Sequence, residues 1–416
     1  MRLLNRIAAL RVDFSVAALI LVCACLYNSS SFMLTLNGSM LLGSILLLLA
    51  IACLILSALS GGCIPNRWIK ASIILWLGIF TIDGMAHGMR FDSEEMRMVL
   101  LVSTALLISL SVPSKLFFKT VNTIVVALAI FALLQFVLVN IFGFNLFINE
   151  FTSFNSIKYK LGLLAVCSPN YMYSGIWYSS LSIFWEPGIF ASILLLAISF
   201  QSVGISEYKP KQIIIMSVAL ITTFSTAGIL LLPIALLPKF FRSNSKTSIL
   251  LCLIGLLVAL ALIYWSENIV RALISLNPTI FGKIANLDLL TASTRLEAPV
   301  INLRLFLEDP VFGLGLTEAS EAYAREVMLR ASVDAQTSTS TFYMAAYGFL
   351  GIALSLLPAI GVARLKNLSF VQRIILITLL YMILNKETHI FDLLFLTIPL
   401  MMLKMENKKI GGAIDD

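Results

Sequence analysis

Three uncharged runs, Leu41 to Leu59, Val121 to Val139 and Ile249 to Trp265, constrain this chain more than any motif it carries. Each is long enough to cross the roughly 30 Å hydrocarbon core of a bilayer as a helix. Only 12% of the residues are charged and 59% are hydrophobic, about half the charge of an ordinary soluble domain. The pattern predicts an all-α, polytopic membrane fold. Spans at 12–33, 39–60, 70–87, 97–113, 120–142, 187–205, 211–225, 227–239, 247–265, 339–362, 374–386 and 388–403 give about twelve crossings.

The net charge of +7 reads as topology, and nucleic acid is not an expected partner. With the N-terminus cytoplasmic, Arg67, Lys70, Lys115, Lys119, Lys209, Lys211, Lys239, Arg364, Lys366, Arg373 and Lys404 all fall on one side, as the positive-inside rule requires. Both termini are then cytoplasmic, and two long loops, 143–186 and 266–338, lie outside. Residues 1–416 form one integral-membrane domain, with no repeat of fixed period. Arg2, Arg6 and Arg11 precede the first apolar run without a small-residue cleavage site after Leu26, which predicts an uncleaved first span. The spacing of Cys23, Cys25, Cys53, Cys63, Cys167 and Cys252 supports neither a disulfide framework nor a metal site.

The two outer loops carry the polar chemistry. The first is aromatic, with Tyr159, Tyr171, Tyr173, Trp177, Tyr178, Phe184 and Trp185, rings that anchor at an interface or stack on sugars. The second holds two helical patterns, Arg295 to Leu307 and Glu318 to Leu329, joined by a turn at Pro310 to Gly315 and lying across the membrane surface. Arg295, Arg304 and Arg325 offer planar donor forks suited to phosphate or pyrophosphate, while Arg271 and Arg330 solvate the loop. Lys158 and Lys160 add point charges to the first loop, and Arg97 stands among Asp92, Glu94 and Glu95. Glu186, between Trp185 and Pro187-Gly188, is a carboxylate at the membrane boundary that needs a partner. Asp83, His389 and Asp392 sit near span ends, where water reaches them. There is no phosphate-binding loop of Walker type, no Asp-x-Asp pair in a loop and no cluster of Cys or His, so no cofactor and no metal are expected.

Four pieces together resemble the O-antigen polymerase (Wzy) family, part of a wider group that includes the O-antigen ligases. They are Phe184-Trp185-Glu186-Pro187-Gly188, Ser225-Thr226-Ala227-Gly228, Ser293-Thr294-Arg295, and Asp309 to Gly315 followed by Gln336 to Thr341 and Tyr347-Gly348. The resemblance implies a GT-C-like fold and a metal-independent glycosyltransferase of the bacterial inner membrane with its active site on the periplasmic face. Its substrates would be undecaprenyl-pyrophosphate-linked oligosaccharide repeats, the growing glycan passing to the non-reducing end of the next repeat. Expected partners are membrane lipid, a chain-length regulator and the flippase of the same pathway. Glu186 and Arg295 would be catalytic, as base and leaving-group clamp. Arg304, Arg325, Lys158, Lys160 and Arg97 would bind pyrophosphate and glycan. Two departures stand out: the first loop has lysines where the family uses arginine, and the histidine of the ligases is missing after the second-loop glycines. An O-antigen ligase and a lipid-linked oligosaccharide flippase are the alternatives. The expected geometry is a basic lid of two surface helices over a cavity within the membrane, with Arg295 and Arg304 facing inward toward Glu186.

Overall fold

The computed structural model describes residues 2–28, 39–59, 67–88, 93–152, 158–172, 175–241, 289–329 and 336–405. The span expected at 247–265, the second loop from 266 to 288 with Arg271, and Arg330 lie outside these residues. Thirteen α-helices run in chain order among the described residues. The first five are α1 (Arg2–Tyr27), α2 (Ser39–Leu59), α3 (Arg67–Ala86), α4 (Ser93–Ser111) and α5 (Ser114–Phe136). After a sheet come α6 (Pro187–Val203), α7 (Pro210–Thr222) and α8 (Thr226–Leu236). The last five are α9 (Leu289–Glu308), α10 (Leu316–Leu329), α11 (Thr339–Ala363), α12 (Phe370–Leu384) and α13 (Leu393–Lys404).

Four described stretches, Leu41–Leu59, Ile69–Ala86, Ser114–Ile141 and Thr339–Ala363, are long and apolar enough to cross a membrane, and shorter apolar helices stand beside them. Leu41, Leu48 and Ile55 lie exposed one heptad apart along α2. Such a stripe would be an aggregation hazard in water and is the normal surface of a helix in lipid. Every residue of α6 from Gly188 to Val203 is buried. A helix apolar all round belongs at the centre of a bundle.

Side-chain contacts fix which helix ends lie together. Lys404, closing α13, donates to the carbonyls of Ser109, Leu110 and Val112 at 2.7, 3.2 and 3.0 Å, which satisfies acceptors left over at the end of α4. Asn122, Gln201 and Gln212 join α5, α6 and α7 at this same basic end through bonds of 2.9 to 3.2 Å. At the other end Ser180 donates to the carbonyl of Ala132, and Tyr178 and Asn140 bond reciprocally, tying the end of α5 to the sheet.

That sheet corrects the all-α expectation. Residues 147–182 form four antiparallel strands in the order β1-β2-β3-β4: Phe147–Thr152, Lys158–Gly162, Val166–Met172 and Gly175–Ser182. The reason is local. This stretch is rich in Phe, Ile, Tyr, Trp and Ser, punctuated by Gly162 and Gly175, and carries no 3.6-residue repeat. Tyr159, Val166 and Leu181 form its small core, so Tyr159 serves packing and not sugar stacking.

The break at Thr222 to Gly228 separates two short helices, α7 and α8. A 13-residue helix rises only about 20 Å, so α7 alone falls short of the bilayer core. Hydroxyls at the tip take the place of the missing helix bonds: the Ser225 amide donates to Thr223 Oγ1, and Gly228 donates to Ser225 Oγ. Phe224, at φ +52°, turns the chain and packs against Phe136 and Trp177. The tip therefore reaches the sheet end of the bundle.

Candidate functional site

The polar groups of the sheet end gather around the first turn of α6. Pro187 occupies the first helical position, where its fixed φ and missing N–H carry no cost, and half-buried Glu186 is the extended N-cap residue. Gly188 follows. A Cβ there would stand 2.1 Å from Glu387 Oε1, so only glycine lets the carboxylate lie against the helix start. Anions are favoured at this position by the unpaired N–H groups and the helix dipole. Lys386 lies beside Glu387, Nζ to Oε1 3.8 Å, and donates to the Gly188 carbonyl at 3.1 Å. Both side chains are only 5% exposed. A buried pair of this kind is held by its partners, because either charge alone would be several kcal/mol uphill, about 3–5 by analogy with broken pairs.

A second set of contacts brings α9 to the same place. Asn302, fully buried, donates to Gln336 Oε1 at 3.2 Å and Thr341 Oγ1 at 3.0 Å, and Gln336 Nε2 returns a bond to Asn302 Oδ1 at 2.9 Å. Ser338 donates from its hydroxyl to Asn385 Oδ1 at 2.7 Å, one residue before Lys386. The chain of contacts thus runs from α9 through Gln336 and Ser338 to Asn385, then through Lys386 and Glu387 to Gly188.

The glycine-rich turn docks on a broken helix. Gly348 (φ +55°, ψ −133°) interrupts α11, and the carbonyls it frees at Ala345 and Ala346 accept from the amides of Leu314 and Gly315 at 3.0 and 2.9 Å. Gly313 (φ +77°) and Gly348 approach so closely that a Cβ on either would strike the other's backbone. His87 braces this junction: Nδ1 lies 3.1 Å from Asp83 Oδ1, and Nε2 lies 3.0 Å from the Gly313 carbonyl oxygen.

The residues singled out from sequence divide accordingly. Glu186 lies two residues before Gly188, against which Glu387 packs. Arg295 belongs to α9, and its position shares the stripe of Ala298, Asn302 and Leu305 that faces the bundle; its side chain lies outside the described residues. Arg304 does not face inward as expected: it is exposed, because 298, 301, 302 and 305 make the buried face and 304 falls on the other side. Arg325 is exposed and pairs with Glu318 and, at 3.7 Å, Glu321, which hold its guanidinium above the usual range. Lys160 pairs across strands with Glu150 at 2.6 Å, which raises its ammonium, and lies over the rings of Phe147 and Tyr178. Lys158 is in β2, its side chain outside the description. Arg97 stacks 4.6 Å over Phe391 at the start of α4. Of the set, Glu186 adjoins the central constellation as the N-cap residue of α6, while Arg304 and Arg325 are exposed and Lys160 pairs within the sheet.

Sequence reasoning gave Lys386 and Glu387 no role and used them only as an uncertain span boundary. The available signal was two adjacent opposite charges between apolar runs, which in a membrane fold need partners. Asn302 and Gln336 gave a weaker one, Asn302 being a polar residue on an apolar helical stripe. Among the described residues no group of three His, Cys, Asp or Glu could hold a metal ion. Compared with known proteins, the chain matches no family model and no curated sequence.

Proposed function

We propose that the chain is a polysaccharide-repeat polymerase: a metal-independent glycosyltransferase that moves a growing glycan from undecaprenyl pyrophosphate to the non-reducing end of another lipid-linked repeat. One observation carries the reading. The pieces on which the family resemblance rests are scattered from Phe184 to Gly348, yet Gly188, Asn302 on the Arg295 helix and the Gln336 to Thr341 segment join in one contact network at the sheet end. In this reading the chain crosses the inner membrane about twelve times with both termini cytoplasmic, and the sheet end is periplasmic. Support comes from Lys209, Lys211, Lys239, Arg364, Lys366, Arg373 and Lys404, which all belong to loops and helix ends opposite the sheet.

The chemistry asks for little. Pyrophosphate is a good leaving group, so the donor bond needs positive charge to receive the developing negative charge and a base for the acceptor hydroxyl. Arg295 is assigned the clamp and Glu186 the base. Glu387, neutralised by Lys386 and wedged against Gly188, orients the start of α6 on which Glu186 stands. Lys160, Arg325 and Arg304 contribute a cationic surface for lipid-linked substrate, outside the reacting centre.

The ligase alternative would use a histidine near the second-loop glycines. His87 does reach Gly313, but both ring nitrogens are taken up by Asp83 and the Gly313 carbonyl, so it serves as a brace. A deletion strain separates the readings. Loss of a polymerase leaves one repeat on the lipopolysaccharide, loss of a ligase leaves bare core with lipid-linked polymer accumulating, and loss of a flippase leaves neither. In the complemented strain, Arg295→Ala is expected to abolish polymer at normal protein level and Arg295→Lys to restore little. Full-length banding from Arg295→Ala would overturn the clamp assignment.

A further inference from the structure

The outward surfaces of α9 and α10 differ, although a short turn joins the two helices. α9 buries Ala298, Ile301, Asn302 and Leu305 against the bundle. On its opposite face Val300, Leu303 and Leu307 fall within about 60° of one another around the helix axis, and the turn adds Val311 and Phe312. These five side chains are 40% to 71% exposed. α10 instead carries Glu318, Glu321 and Arg325 on its exposed face, with Arg325 paired to both carboxylates. A helix that is apolar on both faces suits a surrounding without water, and one that pairs charges outward suits water.

The path of α11 shows what adjoins the apolar face. Gly348 folds that helix back on itself: Ser355 donates to the Ser340 carbonyl at 2.6 Å, and a Cβ on Gly351 would strike the Tyr343 carbonyl. In an unbroken helix residues 340 and 355 would stand about 22 Å apart. The arm from 349 onward runs toward the basic end, and Phe349, Leu356 and Ile360 share its exposed face. It belongs to one of the stretches apolar enough to cross a membrane. Its exposed stripe continues onto α9, because the Phe349 ring meets Phe306 edge to face, centroids 6.2 Å apart.

Arg304 interrupts the apolar face of α9. It is exposed one turn after Val300, between Leu303 and Leu307 in the chain, and among the described residues no ion pair holds it. A guanidinium among lipid-facing side chains reaches along its stem to the headgroup layer, where its planar fork matches a phosphate.

We propose that the outward face of α9, together with the exposed stripe of α11, is embedded in the leaflet at the sheet end of the bundle, and that Arg304 holds a phospholipid phosphate there. α10 stands on the water side of the same headgroup layer. The two helices of the second loop are thus not one layer laid across the membrane surface: one is sunk into it and the other is above it. The inference goes beyond the glycosyltransferase reading and does not depend on it, since that reading leaves Arg304 outside the reacting centre.

The test uses the full chain with its native cysteines replaced, carrying Leu303→Cys, Leu307→Cys or Glu321→Cys one at a time with a nitroxide on the new thiol. Each protein is placed in nanodiscs of phosphatidylcholine and phosphatidylglycerol, which contain no polyprenyl lipid. Oxygen concentrates in hydrocarbon and a neutral nickel chelate in water, so the collision rates of the nitroxide with each report its depth. Labels at 303 and 307 are expected to favour oxygen by about threefold or more, and the label at 321 to favour the chelate. Mass spectrometry of protein released from the same nanodiscs is expected to show retained phosphatidylglycerol, reduced about threefold or more in Arg304→Gln. Chelate contact at 303 and 307 equal to that at 321 would put the face in water. Shielding from both reagents would mean that a second copy or another segment of the chain covers it. Unchanged lipid retention in Arg304→Gln would remove the phosphate contact. Any of these three results would overturn the proposal.

Discussion

At the scale of single residues, close approach explains more of this chain than charge does. Gly188 admits the Glu387 carboxylate to the start of α6, and a methyl group there would meet an oxygen at 2.1 Å. Gly188→Ala is therefore expected to destabilise the protein by about 1–3 kcal/mol, as overpacking does elsewhere. Gly78→Ala is the contrasting case: it lies inside α3 with nothing within 4 Å of the added methyl, so about 0.5–1 kcal/mol of stabilisation is expected from helix propensity. Thermal unfolding of the two variants in the same detergent checks the pair, and a Gly188→Ala protein as stable as Gly78→Ala would refute the contact. Glu387→Gln should cost more, about 3–5 kcal/mol, because it removes a carboxylate charge 3.8 Å from the buried Lys386 ammonium. Little of this was legible in sequence. The motif around Gly188 was visible, but its reason lies two hundred positions away in the chain, at a pair that looked like a helix boundary.

At the scale of elements, helices announced themselves and the sheet did not. Apolar runs fixed most helices to within a few residues, since a long uncharged segment has few other ways to satisfy its backbone in lipid. The strands at 147–182 lacked that constraint, and their β-forming composition was masked by a reading that treated aromatic residues as ligands or anchors. Register puts Cys167 in β3 opposite Lys160 and Ser180, buried, and burial pushes its thiol up to about 12. The thiolate is the reactive form, so Cys167 is expected to resist maleimide at pH 8 in a protein whose other cysteines are replaced. Urea that opens the sheet should release labelling at the rate of a free thiol. Fast labelling of the native protein would mean the sheet is not formed as described. The α9 and α10 helices were legible as amphipathic patterns, but their rotation was not. Arg304 and Arg295 differ by nine residues, about 180° around a helix, so both could not face the bundle.

At the scale of the whole molecule, two opposed ends organise the protein. One is basic and tied by Lys404 and the Asn122, Gln201 and Gln212 cluster; the other gathers the sheet, the hairpin tip, the glycine turn and the buried pair. Hydropathy alone separates the polar segments 143–186 and 266–338 from the apolar runs. What hydropathy cannot encode is convergence. Asn302 meets Gln336, and Asn385 meets Ser338, only once the bundle is packed. The most direct measurement of the central claim is reconstitution of the purified chain in liposomes, with lipid-linked repeats extracted from cells lacking its gene, in EDTA and without nucleotide. The account predicts a ladder of glycan lengths with release of undecaprenyl pyrophosphate, lost in Arg295→Ala. Repeats that stay single with folded wild-type protein present would contradict it.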